Sequence, residues 1–325
     1  MQILITSPYP LDSPKGNSIT ALRIERLLKQ AGHQASAVHG TLPTGADAMI
    51  ALHATKTYPL SAAFKQQHPG KPLILYLTGT DLYRDLLERK PDCLNAMELA
   101  DILVVSQPAS LSSIPEQYQQ KSRVVRASIV IPKLEDVSPP PQPSFALVAH
   151  LRPVKNPFLL NRALEQLGGL PLHAYTLGSA LDEKMIEEAH SWQAKDPRFR
   201  WLDNVPYPQA LSWISQVTAT INSSHLEGGA NAVGESILLG TPVLASKIEG
   251  NLGMLGDDYA GYFTPDDPGS LATIIRRVIE EPEFLQLLRQ QIHTRQTCFS
   301  PAIETQGWLD CLTAAQALNP RPSGK

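Results

Sequence analysis

Short apolar runs alternate with amphipathic stretches along almost the whole chain, and the alternation is interrupted once. Strand, helix and strand in that rhythm close most readily into a parallel sheet covered by helices. In the first series, residues 2–6, 35–38, 48–52, 73–77, 102–105 and 123–130 read as strands, and 18–31, 58–67 and 93–100 as helices. The interruption is KLEDVSPPPQPS, residues 133–144, where Pro139, Pro140, Pro141 and Pro143 mark a stiff linker. The second series places strands at 145–149, 173–177, 199–202, 217–222 and 242–245. Its helices fall at 157–167, 181–193, 209–215, 232–239, 270–280 and 283–297, and a last helix spans 303–317. The pattern predicts an α/β chain of two doubly wound, Rossmann-like domains facing a central cleft. Their bounds are 1–132 and 145–300, with the linker between them. A C-terminal segment, 301–325, is free to return its helix to the first domain. At 325 residues, 42% of them hydrophobic, the chain can fill two cores of ordinary size.

The stretch Ser223–Ser246 carries the sharpest chemistry. Glu227 and Glu235 are separated by seven residues, with Gly228, Gly229 and Ala230 opening a helix between them. Asn231 reads as an N-cap for 232–239, Gly240 as the residue just past the helix end, and Pro242 as a block to continuation. Unpaired amides and the helix dipole favour an anion at such a start, and glycine lets backbone approach it closely. Carboxylates flanking that start can accept from sugar or ribose hydroxyls in charge-assisted bonds. Together they suit a nucleotide sugar; the plainer alternative is a glycine turn with a dipole-favoured surface glutamate. A second basic cluster follows the strand at 145–149, where His150, Arg152 and Lys155 are placed to neutralise a diphosphate. Arg152 is a planar fork and Lys155 a point charge, so the two are not interchangeable.

In the first series, Lys15, Gly16 and Asn17 precede a helix, and LYLTGTDLYRDL (75–86) follows a strand with Thr78, Gly79, Thr80, Asp81 and Arg84 at the sheet's carboxyl edge. His53 and Lys56 follow another strand. These donors and cations suit a small oxyanion. Arg23 reads first as an ordinary helix-face charge. His53, between Leu52 and Ala54, reads equally as a core histidine or a functional one. Asp81 reads as an N-cap for 82–88 ahead of a base.

Several classes are disfavoured. A net charge of −3 lacks the basic footprint of a nucleic-acid binder. No apolar run approaches a membrane span, and helix 18–31 is only weakly basic, so no stable membrane association is expected. Cys93, Cys298 and Cys311 are odd in number and far apart, which points to a reducing compartment, the cytoplasm by default, and to no metal site. The absence of an Asp-x-Asp pair disfavours a metal-chelating glycosyltransferase of the other common fold. Dinucleotide and P-loop phosphate cradles are also missing, so no cofactor is expected.

Four blocks in the second series resemble the nucleotide-sugar domain of GT-B glycosyltransferases of the family 4 type: AHLRPVKNP (149–157), WLDNVP (201–206), the Glu227/Glu235 stretch and GYFTPDDPGSLATIIRRV (261–278). The resemblance implies that Glu227 meets the donor sugar and Glu235 the ribose, with amides of Gly228, Gly229, Ala230 and Asn231 near the β-phosphate. It also implies that backbone around Leu202 and Val205 holds the base, most often uracil. His150 stands where the family usually has an arginine, with Lys155 in the lysine's place and Arg152 available to supply the guanidinium. Across nearly the whole chain, LTGTDLYRDL (77–86), the Gly16–Asn17 loop and GNLGMLGDDYAGYF (250–263) are similar to selenosugar synthases of selenoneine biosynthesis. That likeness implies a UDP-sugar donor, UDP-N-acetylglucosamine or UDP-glucose, and selenophosphate as acceptor. The donor-binding set is then Gly16, Asn17, His150, Leu202, Val205, Gly228, Gly229, Ala230, Asn231 and Glu235. Lys15, Thr78, Gly79, Thr80, Asp81 and Arg84 form the acceptor set, and Glu227, Lys155, Arg152 and His53 the catalytic one. Thr78 replaces a histidine usual in family 4, which separates this chain from a generic member. An ordinary hydroxyl acceptor, or a non-catalytic sugar-nucleotide binder, are the alternatives.

Overall fold

A computed structural model of the chain describes residues 1–13, 15–227 and 229–319. The chain forms two compact units, one of Met1–Ser128 with the stretch from Ser300 onward, the other of Ile129–Phe299. In the first unit, β1 (Gln2–Ser7), β2 (Gln34–His39), β3 (Ala48–Leu52), β4 (Leu73–Tyr76), β5 (Ile102–Val105) and β6 (Ser122–Val124) build one sheet. Its order is β2-β1-β3-β4-β5-β6, with every pair parallel. β3, β4 and β5 are buried throughout, as strands covered by helices on both faces must be. The covering helices include α1 (Gly16–Gln30), α2 (Ala54–Gln67), α3 (Pro91–Leu99) and the short α4 (Glu116–Gln119). One face of the sheet buries Ile5, Ile24, Leu28 and Ile50; the other buries Met49, Phe64, Leu75 and Leu103.

The second unit repeats the scheme with β7 (Ser144–Val148), β8 (His173–Leu177), β9 (Phe199–Trp201), β10 (Ala219–Asn222), β11 (Val243–Ser246) and β12 (Tyr262–Phe263). The order is β12-β11-β10-β7-β8-β9, again parallel. Its helices are α5 (Leu159–Gln166), α6 (Glu183–Lys195), α7 (Tyr207–Gln216), α8 (Asn231–Leu239), α9 (Glu249–Leu255), α10 (Pro268–Glu280) and α11 (Pro282–Arg295). Phe145, Leu160, Leu244, Leu271, Ile275 and Leu288 fill its main core. The two parallel sheets are the α/β architecture that the alternation of apolar and amphipathic segments predicts.

The final helix, α12 (Pro301–Leu318), packs in the first unit, where Trp308 lies against the Tyr76 ring at a centroid distance of 5.9 Å. Glu304 on α12 is 1% exposed. Its carboxylate accepts from Arg23 Nε at 3.0 Å, from the Ser128 amide at 2.6 Å and from the Trp308 indole at 3.3 Å. Among the described residues no helix is long and apolar enough to cross a membrane.

Several local expectations change. The strand expected over 123–130 ends at Val124, because Ser128 and Ile129 spend their amides on Glu304 and on the Phe299 carbonyl instead of a neighbouring strand. The helix expected from Tyr58 begins at Ala54 and carries Pro59 within it. Asp81 does not cap a helix over 82–88. Its Oδ2 accepts from the Thr78 amide and hydroxyl at 2.8 and 2.9 Å, and Asp81–Asp85 forms a π-type turn. Asn231 is the first residue of α8, whose N-cap is Ala230 without a side-chain cap. Gly240 does end α8 in the left-handed region, at φ 74°.

Candidate functional site

In an open parallel sheet the strand order reverses at one point, and the crevice beyond the strands' carboxyl ends there is the natural ligand site. In the second unit the reversal lies between β7 and β10. A cavity of about 640 Å³ opens there, lined by Val148 at the end of β7, Leu177 at the end of β8 and Asn222 at the end of β10. The start of α8 closes another side with Ala230, Asn231 and Ala232, and Glu227 and Glu235 both line the space. The uncapped α8 start leaves its first amides to an anion.

Both carboxylates are buried to 7% exposure, yet their surroundings differ. Glu227 Oε1 accepts from Lys155 Nζ at 2.6 Å, Ser224 Oγ at 2.5 Å and Asn222 Nδ2 at 3.3 Å. Glu235 Oε1 accepts one bond, from the Tyr207 hydroxyl at 3.1 Å. Burial therefore raises the Glu235 pKa, and the Tyr207 bond offsets this only in part. The Tyr207 phenol is raised as well, first by burial and then by the Glu235 charge.

The basic block after β7 also lines the cavity. Lys155 closes a 3-10 turn, Pro153–Lys155, and Arg152 precedes it, exposed. His150 is exposed at the rim, with Nδ1 3.0 Å from Ser179 Oγ. Val205 and Gly229 line the cavity too, whereas Leu202 packs into a side cluster with Tyr175 and Val217. Gly228 lies outside the described residues. Among the lining residues that had not been expected are Gly178, Tyr207 and Asn222. Gly178 has a legible cause only in three dimensions. Its φ is 141°, and a Cβ there would stand 2.2 Å from the Ala149 carbonyl oxygen, so the β7 and β8 loops touch through it. Tyr207 carried a weak signal, as the residue after Pro206 at a helix start.

The residues expected in the first unit gather at its own carboxyl edge. His53, at φ 74° and 2% exposed, ends β3 and brings Nδ1 within 2.7 Å of Asp81 Oδ1. Asp81 is thus held between His53 and Thr78, which makes it an internal anchor and not a ligand-facing carboxylate. Thr80 precedes the π-type turn, and Gly79 lies beside the Tyr83 ring. Arg84 Nε donates to Asp85 Oδ1 at 2.8 Å, which Lys90 also reaches at 2.7 Å, while Thr55 Oγ1 donates to Oδ2 at 2.6 Å. Burial alone would raise the Asp85 pKa; these donors outweigh it and hold the carboxyl well below the usual range. Gly16 and Asn17 open α1, and Lys15, the N-cap, sits over the Tyr9 ring at 3.8 Å. Lys56 bonds the Tyr9 hydroxyl, and that bond leads the causes that lower the Tyr9 pKa.

His53, Asp81 and Asp85 bring ligand atoms within 4.8 Å of one another, which is the geometry of a possible cation site. Lys90 and Arg84 already neutralise Asp85, however, so the set is charge-balanced by the chain's own cations.

Residues 134–295 match the family model described as glycosyl transferases group 1. No curated protein matches the chain significantly by sequence. Among solved structures, HepE of Anabaena in complex with UDP superposes with a TM-score of 0.77 at 17% identity, over 97% of this chain and 100% of that one. HepE with UDP-glucose gives 0.72 at 17%, over 97% and 100%. The sucrose-phosphate synthase of Thermosynechococcus elongatus gives 0.77 at 12%, over 98% and 99%. At such identities the likeness speaks for the fold, which is that of GT-B glycosyltransferases. The span that matches the group 1 model, residues 134–295, contains every residue lining the cavity.

Proposed function

We propose that the chain transfers a sugar from a UDP-sugar, UDP-N-acetylglucosamine or UDP-glucose, to the selenium of selenophosphate, giving a selenosugar for selenoneine biosynthesis. The observation that carries the donor half is that Glu227 and Glu235 line one cavity at the start of α8, with Lys155 and Arg152 beside them. HepE, of the same fold, binds UDP and UDP-glucose. Here Glu235, with Tyr207, takes the ribose and Glu227 takes the sugar hydroxyls. The α8 amides, Lys155 and Arg152 stabilise the diphosphate as it leaves. Backbone near Val205 takes the base, and Gly229, Ala230 and Asn231 approach the phosphates.

On the acceptor side, Lys15, Thr78, Gly79, Thr80 and Arg84, with His53 held by Asp81, supply donors and positive charge for a small oxyanion. Selenium's lone pair forms the bond to the anomeric carbon as the carbon–oxygen bond to the β-phosphate breaks, and that electron pair leaves on UDP. Water then breaks the Se–P bond, releasing phosphate and the selenosugar. Selenophosphate is already a strong nucleophile, so no base is essential. Buried free thiols at Cys93 and Cys311 fit action in the cytoplasm.

A second reading has its own observation. His53 Nδ1 stands 2.7 Å from Asp81 Oδ1, a histidine beside a carboxylate, and a base is what a hydroxyl acceptor would need and selenophosphate would not. Mass spectrometry of products from a UDP-sugar panel with selenophosphate, thiophosphate or sugar alcohols separates the readings. A selenium-linked sugar with stoichiometric UDP is expected, and Lys155→Ala is expected to slow its formation by about 100-fold. A glycosidic product formed only with hydroxyl acceptors would replace the selenium reading. Absence of UDP release with every acceptor, despite binding, would leave a sugar-nucleotide binder.

A further inference from the structure

Glu227 has two carboxylate oxygens, and the fold treats them differently. Oε1 receives Lys155, Ser224 and Asn222, more donors than its two lone pairs can hold in ideal geometry. Among the described residues no donor reaches Oε2, so that oxygen is left for a ligand.

Behind this asymmetry runs a chain of amides whose orientations are forced one after another. The Ser246 carbonyl, at the end of β11, can only accept; the Asn251 atom 2.9 Å from it must therefore be Nδ2. The same nitrogen lies 3.0 Å from an Asn222 side-chain atom, which must then be the oxygen, Oδ1. Asn222 is left to turn its NH2 toward Glu227, an acceptor. Ordinary amide ambiguity is resolved by the network itself. Asn251 is fully buried on α9, and its neighbour Gly250 is pressed so close to Glu227 that a Cβ there would stand 2.2 Å from the Glu227 carbonyl oxygen. A parallel arm runs from the same strand end: Ser246 Oγ donates to the Ser224 carbonyl at 2.7 Å, and Ser224 Oγ donates to Glu227.

We propose that Asn222 and Asn251 are positioning residues that aim Oε2 of Glu227 at a hydroxyl of the donor sugar, and so set recognition of the sugar separately from the nucleotide. The proposal rests on the nucleotide-sugar reading of this cavity. Asn222 lines the cavity and bonds Glu227 directly; Asn251 acts through Asn222 and never meets the ligand. Glu235 and Tyr207, which face the nucleotide in that reading, share no hydrogen bond with either asparagine. Uridine diphosphate alone should therefore be indifferent to the relay, and only the sugar-bearing donor should depend on it.

The test compares the affinities of UDP, UDP-glucose and UDP-N-acetylglucosamine by titration calorimetry on the full chain. The variants are Asn222→Leu, which removes the amide at similar size, Asn222→Asp, which turns an acceptor toward Glu227, and Asn251→Ala. Asn222 is only partly buried, so its variants keep the test alive if Asn251→Ala does not fold. The expected result is a UDP Kd within about twofold of wild type and a rise of about tenfold in the Kd of at least one UDP-sugar, the size of one hydrogen bond to a charged group. Unchanged UDP-sugar-to-UDP ratios in both Asn222 variants, or an equal loss of both ligands, would overturn the positioning role while leaving the donor site standing. A wild-type chain that binds neither UDP nor a UDP-sugar would overturn the nucleotide-sugar reading, and this role with it.

Discussion

Glu235 is one turn inside α8 and almost sealed from water, so its charge is held at a cost. Because burial raises its folded pKa, the fold favours the protonated form. Its contribution to stability is complete below the ordinary carboxylate pKa and is lost as pH rises through the raised value. Glu235→Gln is therefore expected to raise the Tm by a few degrees near about pH 7.5, a gain that vanishes by about pH 4. Ligand binding runs the other way. The ionised carboxylate is the better acceptor, so UDP should bind more weakly to Glu235→Gln by roughly tenfold. Wild-type affinity should also fall on acidification before an ordinary carboxylate would titrate. Melting curves and calorimetry across pH check both signs, and a variant that is no more stable at neutral pH would refute the burial argument. Gly250 offers a second test at this scale. The methyl of Gly250→Ala would have to displace the Glu227 backbone, since a Cβ there meets its carbonyl oxygen at 2.2 Å. We expect a stability loss of about 1–3 kcal/mol in denaturant unfolding, together with weakened UDP-sugar binding.

Among the elements, α12 is tied to its unit by one buried carboxylate. Glu304 pairs with Arg23 on α1 and also caps the Ser128 amide, where the chain leaves the first unit. Removing it would leave the guanidinium and that amide without their acceptor. Glu304→Ala is expected to cost about 3–5 kcal/mol in chemical denaturation of the first unit. A loss below about 1 kcal/mol would mean that Arg23 finds water as readily. Elements differ sharply in how well local sequence announces them. α10 was readable because Leu271, Ile274, Ile275 and Val278 recur at helical spacing and Asp267 caps its start. α9 was not, since EGNLGML carries two glycines and no helical stripe; it is helical because the Glu227 backbone and Met254's neighbours pack onto it. Val125 still bonds the β5 carbonyl of Val105, but Ser128 and Ile129 turn their amides to Glu304 and Phe299, so the expected strand does not continue. The helix expected from Tyr58 starts earlier because Ala54 and Thr57 are buried and draw it back to Ala54.

For the whole molecule, each unit has its own sheet and core, and every residue lining the cavity lies between Val148 and Glu235. Residues 129–299 expressed alone are therefore expected to unfold in one cooperative transition and to bind UDP within about tenfold of the full chain, without transferring sugar. Loss of binding by a folded fragment would show that the first unit contributes to the nucleotide site. The two parallel sheets and the place of Glu227 and Glu235 at a helix start were legible in the sequence, because each depends on periodicity or on neighbours within a few residues. The relay from Ser246 through Asn251 and Asn222 to Glu227 was not. Neither were the Tyr207–Glu235 contact and the burial of Asp81 between His53 and Thr78. Their long steps span 28 or 29 positions, from Asn222 to Asn251, from Tyr207 to Glu235 and from His53 to Asp81. Local pattern sets which segments become strands and helices, whereas side-chain partners are chosen by which strand ends the parallel crossovers bring side by side.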